Sequence, residues 1–177
     1  LWQRYIDPDY VERAPVGLTR SLRDIGIRVE GKILSKGSAE RGFSEGFRQR
    51  SDQINREKYS DVMARNFDSA SQIIAMDKEG LDVAVLFPTR GLFVLGMDEL
   101  DPGLAAAIAR GYNDWLHEFC LEDPKRMFGA AMVAPHDVEA AVGETQRTAR
   151  DFGFKAVFMR PTHINGRKWS DPYFDPL

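Results

Sequence analysis

The sequence predicts an α/β fold in which parallel strands are joined by helical crossovers. Three observations carry this expectation. From Asp68 onward, amphipathic helical stretches alternate with short apolar runs across short connections. Each helical stretch opens on an aspartate able to cap it: Asp68, Asp101 or Asp137. The apolar run Leu81 to Phe87 is unbroken by polar residues, the pattern of a strand covered on both faces.

The elements follow in order. Pro8, Pro15 and Gly17 interrupt the opening stretch, and Ile25 to Leu34 then alternates apolar and polar residues around Gly31, which predicts a short hairpin. Gly37 to Lys58 is polar, charged and glycine-containing, and reads as a surface insertion or mobile loop. Asp68 caps a helix whose face carries Ala70, Ile73, Ile74 and Met76, and Gly80 stops it. Leu81 to Phe87 is the first strand of the regular series, ended by Pro88. Asp101-Pro102 then pairs a cap with proline at the first helical position, and Leu104, Ile108, Trp115 and Phe119 keep one apolar face as far as Asp123-Pro124. Met127 to Val133 is the next buried strand. Asp137 caps a helix bearing Val138, Ala141, Val142, Thr145 and Ala149, which closes at Phe152-Gly153 before a third strand, Lys155 to Arg160. Right-handed crossovers between such strands build either an open doubly wound sheet or a (β/α)8 barrel, and periodicity alone does not choose between them.

The 177 residues suffice for one domain with a real core, and 24 basic against 27 acidic residues give no field that would favour nucleic acid or an anionic membrane. The apolar runs are too short to span a bilayer and no signal peptide is read, so a cytoplasmic protein is expected. Cys120 has no second thiol to pair with and reads as a small buried hydrophobe. The chain opens at Leu1 and closes on Asp175-Pro176-Leu177, a helix-opening signal, and is therefore expected to be truncated at both ends.

Several stretches carry a family resemblance. Leu1-Trp2-Gln3-Arg4-Tyr5-Ile6-Asp7-Pro8, Gly80-Leu81-Asp82-Val83-Ala84-Val85-Leu86-Phe87-Pro88-Thr89 and Tyr112-Asn113-Asp114-Trp115-Leu116 are three of them. Asp123-Pro124-Lys125-Arg126-Met127-Phe128-Gly129-Ala130-Ala131 and Gly153-Phe154-Lys155-Ala156-Val157-Phe158-Met159-Arg160-Pro161 complete the set. In this order they resemble the amidohydrolase-related family of metal-dependent hydrolases and aromatic-acid decarboxylases. The resemblance implies a partial (β/α)8 TIM barrel of the metal-dependent hydrolase type. Residues 1–67 would form a loop and hairpin insertion after the first strand, and residues 68–177 would supply βα units two to four. It also implies a divalent metal, usually zinc, that activates water or assists carbon–carbon cleavage.

The metal ligands of such a family cannot be placed. His117, His136 and His163 are the only histidines and never stand at a chelating spacing, so no ligand is assigned in this chain. His117 reads as a surface or satisfied histidine, and His136 as a capping or neutral loop residue near the catalytic end of the second strand in the series. Loops after strand C-termini build the active sites of barrels, which makes Arg160, His163, Thr89 and Arg90 the substrate-binding candidates. An arginine can grip a carboxylate through two parallel hydrogen bonds, and a histidine can donate one or relay a proton. Trp169, Tyr173 and Phe174 are assigned to ordinary packing ahead of a pocket wall or subunit interface.

The function expected is that of a metal-dependent hydrolase or carboxy-lyase acting on a small carboxylated or cyclic substrate, with this chain inactive alone. No nucleic-acid or membrane partner is expected, and a homo-oligomer is left open. Two alternatives remain: a non-catalytic α/β ligand-binding module complete at this length, and a metal-less scaffold relative of the family.

Overall fold

The computed structural model describes residues 2–18, 26–34, 44–89 and 91–177. Arg90 lies outside the described residues. The chain begins with helix α1 (Trp2–Tyr5) and a 3-10 turn at Pro8–Arg13, followed by strands β1 (Val16–Gly17), β2 (Ile27–Val29) and β3 (Lys32–Leu34). Helices α2 (Glu45–Lys58), α3 (Ser60–Ala64) and α4 (Ser69–Glu79) lead to strand β4 (Ala84–Leu86). Helices α5 (Gly91–Val94) and α6 (Pro102–Cys120), strand β5 (Met127–Met132), helix α7 (Val138–Asp151) and strand β6 (Ala156–Phe158) follow. A 3-10 turn at Pro172–Phe174 ends the order.

The expected hairpin is present. Glu30 and Gly31 both have positive φ, 49° and 75°, so the turn twists with the strands it joins. β1, β2 and β3 form an antiparallel sheet, with Val29 opposite Lys32 and Ile27 opposite Leu34. Ile27 and Val29 are each only 1% exposed. Their burial sets the register, because a slip of one residue would turn both to solvent.

The segment read as a surface insertion or loop is instead helical from Glu45 onward. Ser44 caps α2 by accepting from the Phe47 amide, and Gln49–Glu45 and Gln53–Glu57 side-chain bonds run along the helix. Local polar pairing one turn apart stabilises a helix that has no strong apolar stripe. The surface placement was right and the loop assignment was not; residues 37–43 of that stretch lie outside the described residues.

The regular series is close to expectation. Asp68, Asp101 and Asp137 each cap their helix through the carboxylate, and Gly80 ends α4 with φ 66°. β4, β5 and β6 are parallel neighbours in that order, with Val85 paired to Phe128 and Ala131 to Val157. α6 packs on β5, and α7 lies beside α6 through the Arg147–Asp114 and Asn113–Glu144 contacts, so both crossovers share one face of the sheet.

One expectation is corrected. β4 is not covered on both faces: Val83 is 53%, Val85 41% and Phe87 53% exposed. Ala84 and Leu86 pack against the core, whereas the alternate set stays largely open, with Phe87 meeting the edge of the Phe158 ring at a centroid distance of 6.1 Å. β5, the central strand, is buried throughout except for the half-buried Phe128. No described helix is long and apolar enough to cross a membrane.

Candidate functional site

The C-terminal ends of β4, β5 and β6 open onto two loops that are tied together. After β4, Val94, Leu95, Met97 and Leu100 are buried and fix the backbone, leaving Asp98 and Glu99 at the surface. After β6, Asn165 and Gly166 adopt φ 51° and 75° in a two-residue turn closed by reciprocal backbone bonds between Ile164 and Arg167. Ile164, 2% exposed, plugs this turn into the interior.

Asp98 and Asn165 join the loops reciprocally. The Asn165 amide donates to Asp98 Oδ1 at 2.6 Å, and the Glu99 amide donates to Asn165 Oδ1 at 2.7 Å. The β5 end contributes His136, which is 8% exposed, with Nε2 2.6 Å from the Met97 carbonyl. A carbonyl only accepts, so Nε2 carries the proton. Nδ1 is buried with no hydrogen-bond partner among the described residues. Burial holds the His136 pKa below its ordinary value, against the opposing pull of the Met97 carbonyl and the Asp98 charge. His136 is therefore a buried residue of the loop after β5 that clasps the loop after β4, in keeping with a neutral loop role.

Arg160 leaves the end of β6 half-buried, with its guanidinium carbon 5.5 Å from the Phe93 ring centroid. Its backbone carbonyl accepts from Trp169 Nε1. A side chain at Gly96 would bring its Cβ to 2.6 Å from Arg160 Nη1, so the close approach of the guanidinium depends on glycine there. Arg160, Phe93 and the Gly96–Glu99 segment, with Lys32 and Leu34 from the hairpin, line a cleft of about 450 Å³.

Of the four residues singled out in sequence, Arg160 lines this cleft. Thr89 and His163 are exposed on the loops after β4 and β6 and do not line it, and Arg90 lies outside the described residues. Lys32, Phe93, Asp98 and Asn165 were missed. Only Asn165-Gly166 carried a readable signal, that of a tight turn.

The other singled-out groups are accounted for by packing. His117 stacks on Phe152 with ring centroids 4.0 Å apart. Trp169 and Tyr173 both pack on Phe174, and the Tyr173 hydroxyl accepts from the Val138 amide. Cys120 is buried, which pushes its thiol up to about 11. Among the described residues no three His, Cys, Asp or Glu side chains converge on a point that could hold a metal ion.

A family model described as amidohydrolase matches residues 49–177. Among solved structures, the chain resembles a variant of 5-carboxyvanillate decarboxylase from Novosphingobium aromaticivorans, determined with manganese and 3-methoxy-4-hydroxy-5-nitrobenzoic acid. That match has 33% identity, covers 66% of this chain and 33% of the other, and has a TM-score of 0.55. It also resembles 2,6-dihydroxybenzoate decarboxylase from Rhizobium, at 27% identity over 59% of this chain and 33% of that one, with a TM-score of 0.52. A dihydroxybenzoic acid decarboxylase from Polaromonas sp. JS666, at 20% identity, 75% and 41% coverage and a TM-score of 0.54, shares the fold. The chain thus spans about a third of the length of the first two relatives. No curated protein matches it.

Proposed function

Because the chain belongs to the amidohydrolase family, with its parallel sheet and crossover helices forming part of a (β/α)8 barrel, we propose that it works within a metal-dependent carboxy-lyase or hydrolase acting on a small carboxylated aromatic or cyclic substrate. Residues 68–177 would be βα units two to four of the barrel wall, and residues 1–67 the insertion after the first strand. The observation that carries this reading is the placement of Arg160 in a cleft at the strand C-termini, in a chain similar to two aromatic-acid decarboxylases. Carboxy-lyase chemistry is favoured over hydrolysis because those two relatives are decarboxylases.

Arg160 is assigned to binding and orientation. During decarboxylation the negative charge leaves the departing carboxylate, so a cation gripping that group would stabilise the ground state more than the transition state. Arg160 therefore suits an anionic group that the substrate retains, with the Phe93 ring beside it for a flat substrate. His163 and Thr89, with Arg90, would supply hydrogen bonds from the loops around the site. A divalent metal, manganese as in one of those relatives or zinc, would act as a Lewis acid. The described residues do not form a site for it, and no step is assigned through it. A cytoplasmic setting suits a chain whose single cysteine is a buried thiol.

The test is to assay the intact protein, with and without added manganese or zinc, for carbon dioxide release from hydroxylated benzoates and for hydrolysis of lactones and cyclic amides. Metal-dependent carbon dioxide release is expected. Absence of metal binding together with absence of turnover in both assays would leave the ligand-binding module as the better account.

A further inference from the structure

The opposite end of the parallel sheet holds a second cavity, of about 250 Å³, where α6 and α7 end and β5 and β6 begin. All the described residues that line it fall between His117 and Lys155, so one run of helix, strand, helix and strand builds it. Its walls are aromatic. Phe152 stacks on the His117 ring at a centroid distance of 4.0 Å with 5° between the planes, and Phe154 is tilted by 59° to Phe152 at 5.7 Å. The Arg147 guanidinium lies 4.6 Å from the Phe152 centroid, so α6 and α7 fix this wall together. Gly129 leaves β5 bare where the Phe154 ring lies against it, since an added Cβ would stand 2.5 Å from that ring.

The charges around this cavity oppose one another. Lys155 brings an ammonium to the lining, and no carboxylate is among the described residues there. The carbonyl ends of α6 at Cys120 and of α7 at Asp151 set partial negative charge against it. The Cys120 thiol on the lining is buried and pushed up to about 11, so it adds no charge near neutral pH. The volume lies below the roughly 300 Å³ at which drug-sized ligands begin to fit, which limits an occupant to one or two rings. We propose that this cavity binds a small uncharged planar aromatic molecule with one N–H or O–H donor, its ring against Phe152 and Phe154 and its donor towards the helix-end carbonyls. No residue of the Arg160 cleft takes part, so the inference stands apart from the function proposed above. This end of the strands governs stability in barrels, not chemistry, so an occupant should raise the thermal midpoint and leave turnover unchanged.

The probe is indole, with benzoate as a charged counterpart and cyclohexanol as a nonplanar one. Cys120 lines the cavity, so its modification by N-ethylmaleimide in the intact protein, followed by peptide mass spectrometry, reports on occupancy at this place. Indole at about ten times its dissociation constant is expected to slow that modification about tenfold, with no such protection from benzoate or cyclohexanol. Cys120→Leu, which fills the cavity, should abolish the rise in thermal midpoint that indole causes, whereas Cys120→Ala and Lys155→Gln should keep it. Should Cys120→Leu fail to fold, the comparison of the three probes on the unmodified protein decides alone. The proposal is overturned by equal protection from benzoate, by a midpoint rise that persists in Cys120→Leu, or by indole leaving both the modification rate and the midpoint unmoved.

Discussion

Asn113 presents its carboxamide to the backbone of Met132 much as a neighbouring strand would. Its Nδ2 donates to the Met132 carbonyl at 2.9 Å, and its Oδ1 accepts from the Met132 amide at 2.8 Å. Both residues are buried, Asn113 on α6 and Met132 at the end of β5. The same Nδ2 donates to Glu144 on α7 at 2.7 Å, so one side chain satisfies strand and both crossover helices together.

Asn113→Ala should therefore cost about 2–3 kcal/mol of folding stability, because it strands buried backbone groups that water cannot reach. Urea denaturation of the variant should show a lower midpoint with an unchanged slope.

Glu144 is 6% exposed and is held by Arg147 through Oε1 at 2.7 Å and Oε2 at 2.8 Å. Those bonds hold Arg147 above its usual pKa range, so the guanidinium stays charged. Arg147→Met should cost about 3 kcal/mol by leaving a buried carboxylate poorly compensated. Adding Glu144→Gln should recover part of that loss in a double-mutant cycle.

Gly129 sits against the Phe154 ring, where an added Cβ would lie 2.5 Å from ring carbons. Phe154 is 8% exposed and has little room to move. Gly129→Ala should destabilise by about 1–3 kcal/mol, and combining it with Phe154→Leu should return some of the loss in thermal unfolding.

Acid should loosen the loop after β4. Burial lowers the His136 pKa in the folded state, so the unfolded chain binds the proton more readily. The stability His136 contributes is complete above its unfolded value, about 6.5, and is lost as pH falls through the lower folded value. His136→Gln should remove this step, seen as a flatter dependence of the urea midpoint on pH below about 6.5.

The clasp between loops can be opened separately. Asn165→Gly keeps a residue that tolerates φ 51° but deletes the oxygen that accepts the Glu99 amide. Exchange of the Glu99 amide with solvent should quicken by roughly fivefold, for a bond worth about 1 kcal/mol, with exchange in β5 unchanged.

The sequence by itself determined the order of helices and strands after Asp68, because caps at Asp68, Asp101 and Asp137 and the stop at Gly80 act on backbone groups within a few residues. It determined the hairpin around Gly31 for the same reason, and it marked Arg160 through its position after a strand. α2 was legible in principle from the Ser44 cap and the four-residue pairing of Glu45 with Gln49, but its polarity suggested a loop. What lies across a surface is decided only in three dimensions. The open face of β4, the buried contact of His136 with Met97, and the meeting of Lys32 with Arg160 in one cleft all depend on residues far apart in the chain. Composition and period describe which face of an element is apolar; they carry no record of which distant partner covers it, or leaves it open.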